Sequence, residues 1–332
     1  MSLFYKEKKM KLSNKTVKKF IKGAVYFEEE KGYLIPYKYS KAQIDYMADP
    51  SYDHGWRWRA KISGGIRMEL ITDATSLSFD YTANCSHERA NTYDLYVDSV
   101  LTSVYSISEN LKGHISFDLP EGNKKVTVYF PCESISKIKN FTINGGYKAV
   151  KDKGPKILFL GDSITQGAGP QIGSTSYYNS LSRKAEFSAL CQGVGGYRYE
   201  PCDLMKIDGF EPDKIVVFLG TNYYDTPIER YDYKWAVNEY YKRLTELYPN
   251  IPILSVTPTW RSNADDWTRF LWCINTIKDA CKSYPTVTVI DGFTLIPNVD
   301  QCFSDGIHPN AYGSEHLAVN LYKAMKKLKF FE

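Results

Sequence analysis

The sequence predicts an α/β fold in two parts: an all-β half, then a doubly wound parallel sheet. Three observations carry this. From about Gly23 to Val150, short β-type runs are broken by turn residues, with no long helical period between them. After Asp152-Lys153-Gly154-Pro155 the runs become continuously apolar, as strands covered on both faces must be. Helical stripes then alternate with those runs, the pattern of parallel strands joined by crossover helices.

In chain order, the first 22 residues hold eight Lys and one Glu. A basic tail over about 1–22 is expected to be a solvated, frayed terminus. It lacks the apolar core of a secretory signal. Trp56 and Trp58 alternate with Arg57 and Arg59, which places both indoles on one strand face, in the sandwich core rather than on a binding platform. Strands are predicted at 66–71, 77–81, 93–97, 114–119 and 125–130. Leu77-Ser78-Phe79-Asp80-Tyr81 shows the period of two that marks a half-buried strand. Gly64-Gly65, Asp73-Ala74-Thr75 and Pro120-Glu121-Gly122-Asn123 supply the breaks. Many short strands with turn signals predict an antiparallel sandwich or jelly roll over 1–150.

The second domain, 154–332, is predicted to hold strands at 156–160, 215–219, 251–256 and 287–290. Trp267, Phe270, Leu271, Ile274, Ile277 and Cys281 make one helical stripe, and Trp235, Tyr240, Leu244 and Leu247 a second. Asn310 has the position of an N-cap for a last helix with the stripe Leu317, Leu321, Met325 and Leu328.

Composition excludes several classes. The chain has 332 residues, 43% hydrophobic and 24% charged, which is globular rather than disordered. The 42 Lys+Arg and 38 Asp+Glu leave a net charge of +4, so nothing global points to nucleic acid. No run of about 18 apolar residues exists to span a membrane. The seven Cys are odd in number and show no C-x-x-C pair. They are expected to be buried free thiols, neither a disulfide framework nor a metal centre. With no export signal, they point to the cytoplasm.

Three segments end a strand and turn polar and glycine-rich, which is where parallel sheets gather function. Gly161-Asp162-Ser163-Ile164-Thr165-Gln166-Gly167 follows strand 156–160 and exposes a serine on a tight turn. Gly220-Thr221-Asn222 follows strand 215–219 and offers a side-chain amide to a developing oxyanion. Ser304-Asp305-Gly306-Ile307-His308-Pro309 precedes the last helix and sets an aspartate three residues before a histidine. A serine alone is a poor nucleophile. It needs His308 to take its proton, and the resulting imidazolium needs Asp305. Of the other His residues, His316 falls inside the last helix, and His54, His87 and His114 fall in the β half. Ser163 read alone is equally a helix cap, and Asp162 is expected to bond its own turn.

These segments resemble the signature blocks of the SGNH (GDSL-type) hydrolases. Residues 161–167 look like the first block, Gly220-Thr221-Asn222 like the third, and Asp305-Gly306-Ile307-His308-Pro309 like the last. Gln192-Gly193-Val194-Gly195-Gly196-Tyr197 resembles the second. The four stand in family order. The resemblance implies a flavodoxin-like sheet, Ser163 as nucleophile, His308 as base and Asp305 as its partner. It implies an oxyanion hole from the N–H of Ser163, the N–H of Gly196 (Gly195 being the one-residue alternative) and the Asn222 side chain. It implies ester, thioester or deacetylation chemistry with no metal or cofactor. A leading β-sandwich is similar to that of some bacterial SGNH carbohydrate esterases, which remove acetyl groups from polysaccharides. Cys191 and Tyr223 stand where the family often has Asn and Asp, which bears on the shape of the pocket wall.

The expectation is therefore a serine esterase for small acyl groups, O-acetyl on carbohydrate, acting on a small-molecule or glycan ester. The alternatives are a lipase or thioesterase, and a glycan-binding protein on an idle scaffold. Tyr223 and Tyr224 are expected to narrow the acyl pocket. Trp260 ends the strand that starts near Ile251 and either stacks on a sugar ring or packs ordinarily.

Overall fold

The computed structural model describes residues 9–48, 56–85, 89–225 and 232–332; His54 and His87 lie outside them. Among the described residues the first part holds twelve strands: β1 Met10–Lys11, β2 Ile21–Lys22, β3 Tyr26–Glu30, β4 Tyr33–Tyr37, β5 Arg67–Thr72, β6 Ser76–Cys85, β7 Thr92–Val97, β8 Val100–Ser106, β9 Lys112–Asp118, β10 Lys124–Tyr129, β11 Ser134–Ile143 and β12 Tyr147–Ala149. They form two antiparallel sheets. One runs β3-β4-β11-β6-β9 with β1 on β11, and the other runs β12-β5-β10-β7-β8 with β2 on β5. Leu77, Phe79 and Tyr81 of β6 face inward, as their period of two predicts, and meet Met68, Leu70, Val126 and Val128 of the opposing sheet.

Two expectations for this part are corrected. From residue 10 the basic tail is folded, not frayed. β1 pairs with β11, the short helix α1 (Asn14–Val17) follows, and Val17, Phe20 and Ile21 are buried in the sandwich core. The apolar residues between the lysines decide this. Lys18 and Lys22 stay at the surface, 2.8 and 2.6 Å from carboxylate oxygens of Glu29 and Asp152. The Trp56–Arg59 stretch is a helical turn (α3, after α2 at Lys41–Met47), not a strand. At helical spacing Trp56 shares a face with Arg59 rather than with Trp58. Trp56 is buried, and its ring lies 4.9 Å from that of Tyr197 in an edge-on contact.

The second part adds β13 Lys156–Gly161, β14 Ser188–Gly193, β15 Lys214–Phe218, β16 Ile253–Val256 and β17 Val287–Ile290, all parallel. Their order, β14-β13-β15-β16-β17, is the flavodoxin-like arrangement 2-1-3-4-5. The helices are α4 Ser163–Gln166, α5 Tyr177–Lys184, α6 Tyr233–Leu247, α7 Trp267–Cys281 and α8 Ala311–Lys327. Ile157 and Phe159 of β13 meet Tyr178 and Leu181 of α5 and Leu317 and Leu321 of α8 on one face. Leu158 and Leu160 point the other way, toward Tyr240 and Leu244 of α6 and Ile277 of α7. Trp235, Trp267, Leu271 and Leu328, expected in the buried stripes, are exposed at helix ends and edges. The second apolar core is shared between the two parts. Ile35, Tyr37, Ile44 and Trp56 of the first pack with the α6–α7 face of the sheet. All seven Cys are free thiols, with Cys202 exposed. No helix among the described residues is long and apolar enough to cross a membrane.

Candidate active site

The chain leaves β13 for β14 on one side and returns to β15 on the other. A crevice therefore opens at the C-terminal ends of β13 and β15. Ser163 begins α4 immediately after β13. Asp162 is the N-cap of that helix, its carboxylate accepting from Ile164 N–H at 3.0 Å. Burial pushes the Asp162 carboxyl up to about 7 against that bond, so its place is in the turn, as expected. Gly193 ends β14 against α4. A Cβ there would run into the Gln166 N–H, so only glycine lets the helix lie this close.

His308 reaches the same point from the loop before α8. Ser163 Oγ and His308 Nε2 are 2.8 Å apart. On the far side of the ring, Nδ1 lies 2.9 and 3.0 Å from the two carboxylate oxygens of Asp305. Asp305 also accepts the backbone N–H of His308 at 2.9 Å and of Ile307 at 3.2 Å. Partial burial works against its charge. The His308 N–H, the imidazole and the Ile307 N–H outweigh that and hold the carboxyl below its usual range. The aspartate thus stays an acceptor fixed on Nδ1, which leaves Nε2 for the serine. The spacing of three residues allows this because the loop folds Asp305 back onto its own downstream N–H groups.

Asn222 follows β15, its Nδ2 donating to Tyr197 O at 3.0 Å, which aims the amide along the crevice rim. Gly195 and Gly196 follow β14. Gly195 N–H is committed to Gln166 Oε1 at 2.8 Å. That leaves Gly196, whose φ of +80° suits glycine, as the residue of the pair that can present its N–H to a ligand. Ser163, Gly196, Asn222, Asp305 and His308 all line one cleft of about 480 Å³, within the usual range of small-molecule sites.

Tyr223 and Trp260 do not line it. Tyr223 is buried and stacked on Tyr233 at 3.9 Å, held there by the 3₁₀ turn that faces Asn222 outward. Trp260 lies flat on Phe293 at 3.9 Å, its indole N–H donating to Phe293 O at 3.0 Å. One face of the indole is therefore taken up by aromatic packing. Tyr224 is buried and donates to Asp265. Cys191 is buried too, its thiol against Thr165 O. The departures at Cys191 and Tyr223 therefore fall on packing positions, not on the pocket wall.

Sequence reasoning missed four residues of the cleft's other wall: Arg59, Ile62, Arg89 and Glu133, all from the first part. Arg59 donates to Gly195 O at 2.8 Å, and Glu133 Oε1 accepts from Gln166 Nε2 at 2.9 Å. Lys38, fully buried, donates to Gly193 O at 2.6 Å, and Tyr39 to Gln192 O at 3.1 Å. One signal was available. Ser40-Lys41-Ala42-Gln43 has the spacing of a capping box, and the structure forms it at the start of α2. It marks a helical insertion in the β half just before the Trp56–Arg59 turn.

A serine, histidine and aspartate in line at the switch point of a parallel sheet define the acyl-hydrolase class of site. Residues 159–316 match the model of the GDSL-like Lipase/Acylhydrolase family. The chain thus carries a GDSL-like lipase/acylhydrolase domain and is a carboxylic ester hydrolase. No curated protein matches it by sequence. Solved structures share the two-part fold over nearly the whole chain. The salicylyl-acyltransferase SsfX3 of a tetracycline biosynthetic pathway has a TM-score of 0.76 at 19% identity, covering 93% of this chain and 94% of that one. A protein from Bacteroides ovatus described as a putative GDSL-like lipase gives 0.75 at 16% identity, covering 98% and 99%. A family two carbohydrate esterase from Clostridium thermocellum, solved with cellohexaose, gives 0.67 at 15% identity, covering 94% and 100%.

Proposed function

We propose that this protein is a serine esterase that removes small acyl groups, O-acetyl foremost, from a carbohydrate. The observation that carries the reading is the continuous hydrogen-bond line Ser163 Oγ, His308 Nε2, His308 Nδ1, Asp305 inside a cleft of small-molecule size. Ser163 Oγ attacks the ester carbonyl as its proton passes to His308 Nε2. The resulting oxyanion is held by the N–H groups of Ser163 and Gly196 and by the Asn222 amide. His308 then protonates the leaving alcohol, and water, deprotonated in turn by His308, releases the acid from Ser163. Asp305 stabilises the imidazolium and fixes its tautomer. The carbohydrate part is supported by the likeness to the Clostridium thermocellum family two carbohydrate esterase, which matches this chain over 94% of its length.

The test is a series of chromogenic esters from acetyl to long acyl chains, given to wild type and Ser163→Ala. Acetyl preference abolished by the substitution is the expected result. Preference for long chains would overturn the deacetylase reading in favour of a lipase. Glycan binding that persists in Ser163→Ala with no turnover by wild type would overturn the esterase.

A further inference from the structure

Two guanidinium groups face the cleft, and neither belongs to the blocks that resemble the hydrolases. Arg59 is exposed and stands at the oxyanion end. Its Nη1 donates to Gly195 O at 2.8 Å and lies 2.7 Å from where a Cβ on Gly196 would be. Arg89 stands at the other end, its Nη1 3.4 Å from Asp305 Oδ2, a long contact between side chains that are each 40% exposed.

The carboxyl groups in the cleft have their main partners away from Arg59. Asp305 is taken up by the His308 ring and two backbone N–H groups, and Glu133 accepts from Gln166. Among the described residues no carboxylate lies within ion-pair distance of Arg59, which donates instead to a neutral carbonyl, Gly195 O. A guanidinium stays charged at every physiological pH and carries five N–H donors. Holding that carbonyl in place needs one of them, and a neutral amide would do it as well. Arg89 keeps its contact with Asp305, so Arg59 is the cation of the cleft left without a carboxylate partner among the described residues. An arginine fork is the side chain best matched to a carboxylate.

We propose that the cleft is built for esters bearing a carboxylate close to the scissile bond, with Arg59 as the principal partner of that carboxylate and Arg89 the second. The proposal rests on the serine-esterase reading above and names the substrate class of the same site. The carboxylate has two possible sources: the sugar, as in an acetylated uronic acid, or the acyl group, as in the half-ester of a dicarboxylic acid.

Three substrates separate these on the full chain: an acetylated methyl hexoside, the matching acetylated methyl hexuronide, and the hemisuccinate of the hexoside. The readout is kcat/KM for each carboxylate ester divided by kcat/KM for the neutral acetate. In wild type at least one ratio is expected to reach ten or more, carried mainly in KM and shrinking as salt rises. A faster hexuronide places the carboxylate on the leaving alcohol, and a faster hemisuccinate places it on the acyl chain. Arg59→Gln is expected to cut the ratio at least tenfold. Arg59→Lys, which keeps the charge and loses the fork, should recover part of it, and Arg89→Gln should give a smaller loss. Both ratios near one in a wild type that hydrolyses the neutral acetate through Ser163 would overturn the inference and leave the esterase standing. So would a high ratio that Arg59→Gln leaves intact. No Ser163-dependent turnover of any ester would overturn both.

Discussion

Gln166 couples the two parts of the chain to the oxyanion loop, and removing it should cost both stability and rate. Its side chain is 2% exposed. Nε2 donates to Glu133 at 2.9 Å across the junction, and Oε1 accepts from Gly195 N–H at 2.8 Å. Gln166→Ala deletes both bonds. A buried neutral hydrogen bond contributes about 1 kcal/mol and one to a charged group about 1.5–3 kcal/mol. Together the loss is about 2.5–4 kcal/mol, read as a lowered urea midpoint. The rate effect follows from position. Gly195 loses its anchor, and Gly196 is the next residue. Removing an oxyanion donor outright costs about 10²–10³ in kcat, so loosening one should cost about 10–100-fold, with KM little changed. Gln166→Glu separates the two bonds, because it keeps an acceptor for Gly195 while setting a second carboxyl against Glu133. It should retain more kcat than the alanine variant while losing at least as much stability at neutral pH. The assay is kcat on a chromogenic acetate beside urea unfolding of the same preparations. A Gln166→Ala protein with wild-type midpoint and wild-type kcat would refute the coupling.

Other substitutions test the remaining parts. Ser163→Ala should fold normally and lose at least about 10³ in kcat, and Asp305→Asn up to about 10⁴ because the imidazole tautomer is no longer fixed; comparable turnover in either would refute the triad. Asp162 titrates at about 7 when folded and near 3.9 when unfolded, so the folded state binds the extra proton between those values. Its contribution is full below about pH 4 and lost as the pH rises to 7. Relative to Asp162→Asn, which keeps an N-cap acceptor, wild type should lose up to about 4 kcal/mol across that window, and parallel pH–stability curves would refute this. Lys38 is held below the ordinary lysine range by burial, against the weaker opposing pull of Cys191, Cys132 and Glu133. The folded state therefore binds fewer protons, and wild-type stability should rise toward alkaline pH. Lys38→Met should remove that slope and be equal or more stable at neutral pH, since an apolar chain of like volume carries no desolvation cost. A loss above about 3 kcal/mol would show the Gly193 contact to be indispensable.

What the sequence disclosed follows from how the site is encoded. The parallel half writes its function locally. A continuous apolar strand, a tight turn and a polar residue recur within a few positions, so the sequence alone places Ser163, Asn222, Asp305 and His308 each at a strand or helix end. The topology then brings those ends together, as Ser163 and His308 at 2.8 Å confirm. Tyr223 was misplaced, and Trp260 took the packing alternative of the two left open for it, because adjacency in sequence says nothing about which side of a 3₁₀ turn or strand end faces the cleft. Tyr223 turns inward to stack on Tyr233 while its neighbour Asn222 turns outward. Trp56 and Arg59 were misread for a related reason. Four alternating residues fit a strand and a helical turn equally, and only the contacts with Tyr197 and Gly195 decide between them.

The opposite wall was silent because its residues share no motif. Arg59, Ile62, Arg89 and Glu133 lie scattered over 75 positions of the β half and converge only when that half docks. The docking itself has a physical cause that the domain pattern concealed. Ile35, Tyr37, Ile44 and Trp56 bury apolar surface on the parallel sheet, so β4, α2 and α3 pack against the second part while other strands close the sandwich. Lys38, Tyr39 and Gln43 then bond the end of β14 directly, through Gly193 O, Gln192 O and the Gln192 side chain. The loop that carries Gly195 and Gly196 is therefore gripped from the β half at its start by Lys38 and at its tip by Arg59. An isolated 154–332 fragment would retain Ser163, His308 and Asp305 yet lack both grips. It should lose far more activity than removal of a remote binding module would cost. Full kcat in a soluble, folded fragment of that span would show that the oxyanion loop is held by its own half alone.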